Sequence, residues 1–132
     1  MFDKYIIVPG TFRNTVRDGA TVGFELGVRM PYYRGLGLSM VEAVDLTVDG
    51  DEVVSTAIEF TVHRNSYALA ELPDTFDDRW EMGEIATLTV DSPGGLTPGV
   101  HRISVKQRLR ISYMPVPGGG QDTKELELEL AG

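Results

Sequence analysis

A chain of 132 residues has the length of one ordinary domain, enough to bury a core of its own. It contains no cysteine, which excludes disulfides, thiolate metal sites and cysteine nucleophiles and fits a reducing cytoplasm. Twenty acidic against 12 basic residues leave a net charge of −8, which argues against nucleic acid as a partner, because phosphate binding needs a basic patch.

The opening residues Met1-Phe2-Asp3-Lys4-Tyr5 show no basic stretch leading into a long apolar run, so no signal peptide is expected. No apolar stretch nears the ~20 residues that span a membrane. Period two then dominates. Val22, Phe24, Leu26, Val28 and Met30 alternate with Gly23, Glu25, Gly27 and Arg29. Residues 31–40 follow as Pro31-Tyr32-Tyr33-Arg34-Gly35-Leu36-Gly37-Leu38-Ser39-Met40. A soluble protein usually joins two strands by a short polar turn. This connection is aromatic and apolar instead, so either its own core or another chain must cover it. Tyr and Arg are enriched where proteins grip partners, and Met adapts to irregular surfaces.

Further along, Val44, Leu46 and Val48 alternate with Asp45, Thr47 and Asp49, and Ile58, Phe60 and Val62 with Glu59, Thr61 and His63. One or two helical turns are expected near Ser66 to Leu72, stopped by Pro73. Ala86, Leu88 and Val90 form the next strand. In the strand near 101–114, Ile103, Val105, Leu109, Ile111 and Tyr113 share one face, with Gln107 its polar member. Leu126, Leu128 and Leu130 end the series. Asp18-Gly19, Asp49-Gly50, Pro93-Gly94-Gly95 and Pro117-Gly118-Gly119-Gly120 supply turn chemistry, with 117–122 expected as a hairpin loop. The pattern predicts an all-β fold, an antiparallel β-sandwich with Gly/Pro-rich turns and at most one short helical turn, in a single domain over 1–132.

The wet face of the 101–114 strand carries Arg102, Ser104, Lys106, Arg108 and Arg110, and that of the last strand Glu125, Glu127 and Glu129. A hairpin centred on Gly118–Gly119 sets Arg110 opposite Glu127 and Arg108 opposite Glu129, neutralising the stripe within the sheet.

Catalytic chemistry is thin. His63 and His101 have no histidine or carboxylate at a ligand spacing and read as strand-end surface residues. Ser39 lacks a nucleophile-elbow context. Asp77, Asp78, Glu81 and Glu84 around Arg79 and Trp80 match no calcium loop, and a solvated acidic loop anchored by Trp80 accounts for them. Asp45, Asp49, Asp51 and Glu52 are explained by a type I′ turn at Asp49-Gly50. No catalytic residue and no metal ligand is assigned to this chain.

Five stretches are more specific than composition. They are Met1 to Ile7; Pro31-Tyr32-Tyr33-Arg34-Gly35 with Leu38-Ser39-Met40; Asp78-Arg79-Trp80-Glu81 with Gly83-Glu84; Pro93 to His101; and Arg110-Ile111-Ser112-Tyr113-Met114-Pro115. In this order they resemble the small β subunit of bacterial C-glycoside deglycosidases, nearly end to end. The resemblance implies a heteromeric, cytoplasmic carbon–carbon lyase. Its α subunit looks like a sugar isomerase barrel and holds a divalent metal, expected to be manganese. The substrate is a 3-oxo C-glycoside with an aromatic, flavonoid-type aglycone. Its 3-keto group acidifies the neighbouring sugar proton, a base removes that proton, and the aryl carbon leaves.

On this reading the chain is a non-catalytic support that holds no cofactor and shapes the substrate entrance within a higher-order hetero-oligomer. Tyr32, Tyr33, Arg34, Leu36 and Met40 are the first interface candidates, with Trp80, Tyr113 and Met114 second. The competing reading of the first group is packing over the chain's own open end. The competing function is a free carbohydrate-binding module that uses Trp80 and the tyrosines as a stacking platform. A standalone enzyme built on Asp77, Asp78 and Glu81 ranks last.

Overall fold

A computed structural model describes residues 6–29, 36–76, 78–81, 84–97, 99–109 and 118–128, with Leu36 described in its backbone only. Among the described residues eleven strands run in chain order: β1 (Arg13–Arg17), β2 (Ala20–Arg29), β3 (Leu36–Gly37), β4 (Val41–Val48), β5 (Asp51–Glu52), β6 (Ile58–Val62), β7 (Asn65–Ala68), β8 (Arg79–Trp80), β9 (Ile85–Asp91), β10 (Gly99–Leu109) and β11 (Gly118–Leu128). They form a five-stranded sheet in the order β1-β2-β9-β6-β7, a four-stranded sheet β11-β10-β4-β5, and a small ribbon β3-β8. Every pairing is antiparallel. The all-β sandwich expected from period two is therefore present.

The alternation explains the core. Phe24, Leu26 and Val28, then Phe60, Leu88 and Val90, face inward from one sheet; Val44, Leu46, Ile103, Val105 and Leu128 face them from the other. Each such side chain contributes about 1.5–3 kcal/mol on burial. The expected punctuation holds at Asp18-Gly19 and Asp49-Gly50, whose φ angles are 53° and 79°, and 52° and 87°. Both are type I′ pairs that follow the strand twist.

Three expectations are corrected. The helical turn near Ser66 to Leu72 is instead strand β7 followed by a 3-10 helix over Leu69–Asp74, which runs through Pro73. Tyr67 and Ser66 pair with Phe60 and Thr61, so ladder bonds override the local pattern. The 117–122 loop is also misplaced: Gly118, Gly119 and Gly120 belong to β11, opposite Leu109, Arg108 and Gln107.

With that shift the proposed charge register fails. Leu126 sits opposite His101 and Leu128 opposite Gly99, because the leucines must face inward and a register fixes every residue at once. Arg102 meets the acidic strand, pairing with Glu125 at 3.6 Å; Arg108 turns to Glu42 of β4 at 3.7 Å. Neutralisation within the sheet thus survives with different partners. Arg110 and Glu129 lie outside the described residues.

The registers also decide what gathers at each end. β2 ends at Arg29 opposite the start of β9 at Ile85, and β6 ends alongside, with Thr61 opposite Thr87. In the second sheet β10 ends at Leu109, opposite Val41 and Gly118, where β4 and β11 begin. The β3-β8 ribbon and the 3-10 turn Leu38–Met40 join the two sheets at this end, which is called the ribbon end below.

Candidate functional site

At the ribbon end, Leu36 and Gly37 pair with Trp80 and Arg79, and the Leu38 N–H donates to the Asp78 carbonyl at 3.0 Å. The close of the aromatic segment and the acidic tryptophan segment, some 40 residues apart in the chain, are thus neighbours. Of the first interface candidates, Met40 is half-buried in the turn leading into β4. Leu36 is placed in the ribbon by its backbone. Tyr32, Tyr33 and Arg34 lie outside the described residues, as do Tyr113 and Met114.

Trp80 is wholly buried. Its ring meets Phe60 edge-on at 5.3 Å, and its Nε1–H donates to the Glu84 carbonyl at 2.9 Å. This is the geometry of a core anchor that satisfies its one polar atom. No ring face of Trp80 is left to stack on a sugar or to plug a partner, which takes Trp80 out of the platform that the binding-module reading proposed.

Beside the ribbon, His63 and Arg64 form the two-residue turn between β6 and β7, with Val62 opposite Asn65. Both adopt left-handed backbone, φ 52° and 67°, a conformation that side chains other than glycine enter at a cost. The ring of His63 is held on both sides. Nδ1 lies 3.0 Å from Asp78 Oδ1 and Nε2 2.5 Å from Glu84 Oε2. Each nitrogen faces a carboxylate that accepts from a protonated ring, and the hydrogen bonds to Asp78 and then to Glu84 raise the ring's pKa above its ordinary value.

Asp78 is the hub. Besides His63 it accepts from the Arg79 N–H at 2.8 Å, Asn65 Nδ2 at 3.2 Å and the Tyr67 hydroxyl at 2.7 Å. Burial pushes its pKa up, but the Tyr67, His63, Arg79 and Asn65 hydrogen bonds outweigh burial and hold it at about 2. Arg79 reaches Glu81 at 2.8 Å. The acidic loop is therefore not merely solvated; part of it is drawn inward onto a histidine. Asp77 lies outside the described residues.

His101 overturns the surface reading. It is buried, 7% exposed, with Nδ1 2.6 Å from Asp49 Oδ2 and Nε2 2.6 Å from the Thr97 carbonyl. A carbonyl cannot donate, so Nε2 carries a proton, and the Thr97 and Asp49 hydrogen bonds raise the ring's pKa. It packs edge-on against Phe12 and ties the Asp49-Gly50 turn to β10. The signal was in the sequence: His101 shares the parity of Ile103 and Val105, which face inward. For His63 no such signal exists, since its partners lie 15 and 21 residues away.

Among the described residues no group of three or more His, Asp or Glu is arranged to hold a metal ion. At His63 the reason is geometric: the ring separates the two carboxylates, so no point is shared by three donors. At the opposite end a cleft of about 370 Å3 opens between the sheets, with Phe24, Val48 and Val54 in its wall and Asp49, Asp51, Glu52 and Asp91 around it.

Residues 2–113 match the profile of a protein family described as C-glycoside deglycosidase beta subunit. A C-glycoside deglycosidase beta subunit of Eubacterium cellulosolvens is 34% identical over 114 residues, covering 86% of this chain and 78% of the relative. A 3'-dehydrocarminate deglycosidase beta subunit of Microbacterium sp is 34% identical over 119 residues, 89% of this chain and 85% of its own. A C-glycoside deglycosidase beta subunit of Arthrobacter globiformis is 29% identical over 133 residues, 97% and 98% of the two chains.

Proposed function

The chain belongs to the family of C-glycoside deglycosidase beta subunits, and from that premise we propose that it is the non-catalytic subunit of a heteromeric carbon–carbon lyase, docking its ribbon end on a larger α subunit. The partner is read as a sugar-isomerase-like barrel that carries the catalytic base and a divalent metal, manganese by expectation. The substrate is read as a 3-oxo C-glycoside with an aromatic aglycone. One relative is named for a 3'-dehydro compound, in keeping with an oxidised sugar. We place the complex in the cytoplasm, assembled as a higher-order hetero-oligomer, with residues 1–132 as one domain.

One observation carries the docking surface. The strand registers deliver the flanks of both candidate segments, Arg29 and Leu36 for 30–35 and Leu109 and Gly118 for 110–117, to the same end as Met40. The described flanks of the segments that hold Tyr32, Tyr33, Arg34, Tyr113 and Met114 lie at the end that carries Leu36 and Met40, which supports reading these seven residues as the docking surface. Trp80 supports that end from within.

The test is co-expression with the neighbouring barrel subunit. Tyr33→Ala is expected to lower recovery of the complex at least tenfold, the loss of a hot-spot aromatic worth about 2 kcal/mol or more. The lone chain should keep its wild-type thermal midpoint. Recovery of the mutant complex at wild-type yield removes Tyr33 from the interface. Turnover of a 3-oxo C-glycoside by the lone chain removes the non-catalytic assignment.

A further inference from the structure

We propose that the doubly protonated ring of His63 is a clasp that holds Asp78 and Glu84, and through them the β3-β8 ribbon, against the sandwich, and that loss of one ring proton opens it. The clasp goes beyond the docking role above; only its consequence for assembly rests on that role.

The connection is continuous. The β6-β7 turn presents both ring nitrogens to carboxylates on either side of β8. Asp78 lends its carbonyl to the Leu38 N–H, and Glu84 lends its carbonyl to the Trp80 indole. Trp80 and Arg79 in turn pair with Leu36 and Gly37. His63 therefore stands one bond from each of the two residues that position the ribbon. The left-handed turn that aims the ring is strained backbone for residues other than glycine, and the two hydrogen bonds to carboxylates offset that strain.

Among the described residues, the charged and titratable groups around the ring are Arg64 on its own turn, Tyr67 on β7, and Asp78, Arg79, Glu81 and Glu84 about β8. Arg79 pairs with Glu81, and the Tyr67 hydroxyl donates to Asp78. Arg79 and Tyr67 each make a further interaction. Neutral imidazole keeps one N–H, so one nitrogen then turns a lone pair toward a carboxylate. Asp78 retains Tyr67, Asn65 and the Arg79 N–H. Among the described residues the Glu84 carboxylate then retains the Glu81 N–H alone, and it is the more exposed of the two acids, 33% against 13%. Glu84 is the side that lets go, and the acceptor of the Trp80 indole moves with it. The sign follows from the raised ring pKa. The clasp is complete below the unfolded value near 6.5 and is lost as pH rises through the folded value.

Trp80 is the sole tryptophan, so its indole N–H gives one resonance in a nitrogen–proton correlation spectrum of the full chain. In the wild type that resonance should shift with the same midpoint as the His63 ring proton. His63→Gln should abolish the shift and Glu84→Gln should lower the His63 midpoint. An indole signal that stays still through the His63 titration, or that moves identically in His63→Gln, overturns the clasp. Should His63→Gln fail to fold, Glu84→Gln decides alone: an unchanged His63 midpoint overturns it equally. In the complex, recovery with the barrel subunit should fall over the same pH range. A clasp that titrates in the lone chain while the complex ignores pH leaves the clasp standing and overturns docking through the ribbon end.

Discussion

Asp78 shows how one side chain converts neighbours into stability. Its folded pKa near 2 lies below the unfolded value of 3.8. A depressed carboxylate contributes stability above the unfolded value and loses it as the pH falls through the folded one. Asp78→Asn is expected to cost about 1.5–3 kcal/mol at pH 7, the range for hydrogen bonds to a charged group. Its unfolding curves should merge with those of the wild type between pH 4 and 2. Urea melts at pH 7 and pH 2.5 check this; an equal gap at both rules out the charge as the cause. Gln107 behaves in the opposite sense. It is 2% exposed, and neither amide atom has a partner among the described residues. Burying an unpaired amide costs about 1–3 kcal/mol, so Gln107→Leu should raise the urea midpoint of the lone chain by about 1 kcal/mol equivalent. A lower midpoint would show that the amide is satisfied from outside the described residues. The parity of position 107 marks it as inward-facing in the sequence; its lack of a partner does not follow from sequence, because opposite it stand Gly120 and Val44, which no local pattern names.

At the scale of elements, β2 carries the sharpest constraint. Gly23 and Gly27 read as polar-face spacers, yet both are buried. A Cβ at Gly23 would sit 1.8 Å from the Val90 carbonyl oxygen, which is backbone and cannot swing aside. At Gly27 the nearest atoms are the side-chain ends of Ile85 and Thr11, at 2.9 Å. Gly23→Ala should therefore cost about 1–3 kcal/mol or more by forcing β2 off β9, and Gly27→Ala less. Thermal melts of the two variants check the order; a reversed order would refute the close approach at Val90. The β11 register teaches the same lesson from the other side. Three glycines in a row look like a turn, but β10 continues to Leu109 and offers ladder bonds that glycine accepts as readily as any residue. Local preference is weak, and the pairing partner decides.

For the whole molecule, the two ends differ in kind. One gathers the ribbon, Met40 and the strand ends Arg29, Leu109 and Gly118; the other holds the acid-lined cleft with Val54, 66% exposed, in its wall. If docking uses the ribbon end, Met40→Asp should abolish co-purification with the barrel subunit, since an unpaired charge in an interface costs about 2–5 kcal/mol. Val54→Asp should leave it unchanged. Circular dichroism of both lone variants guards against misfolding, and loss of the complex on Val54→Asp alone would reverse the assignment of ends. The sequence by itself determined the all-β class, the inward face of most strands, the type I′ turns and the family, because alternation and turn residues act over a few positions and survive in any context. Only the tertiary structure decided which loops share an end, that Trp80 is an interior anchor, that His101 is buried, and that His63 is gripped by Asp78 and Glu84. Those contacts join residues far apart in the chain, and their distances depend on register, which is settled by the sheets as a whole.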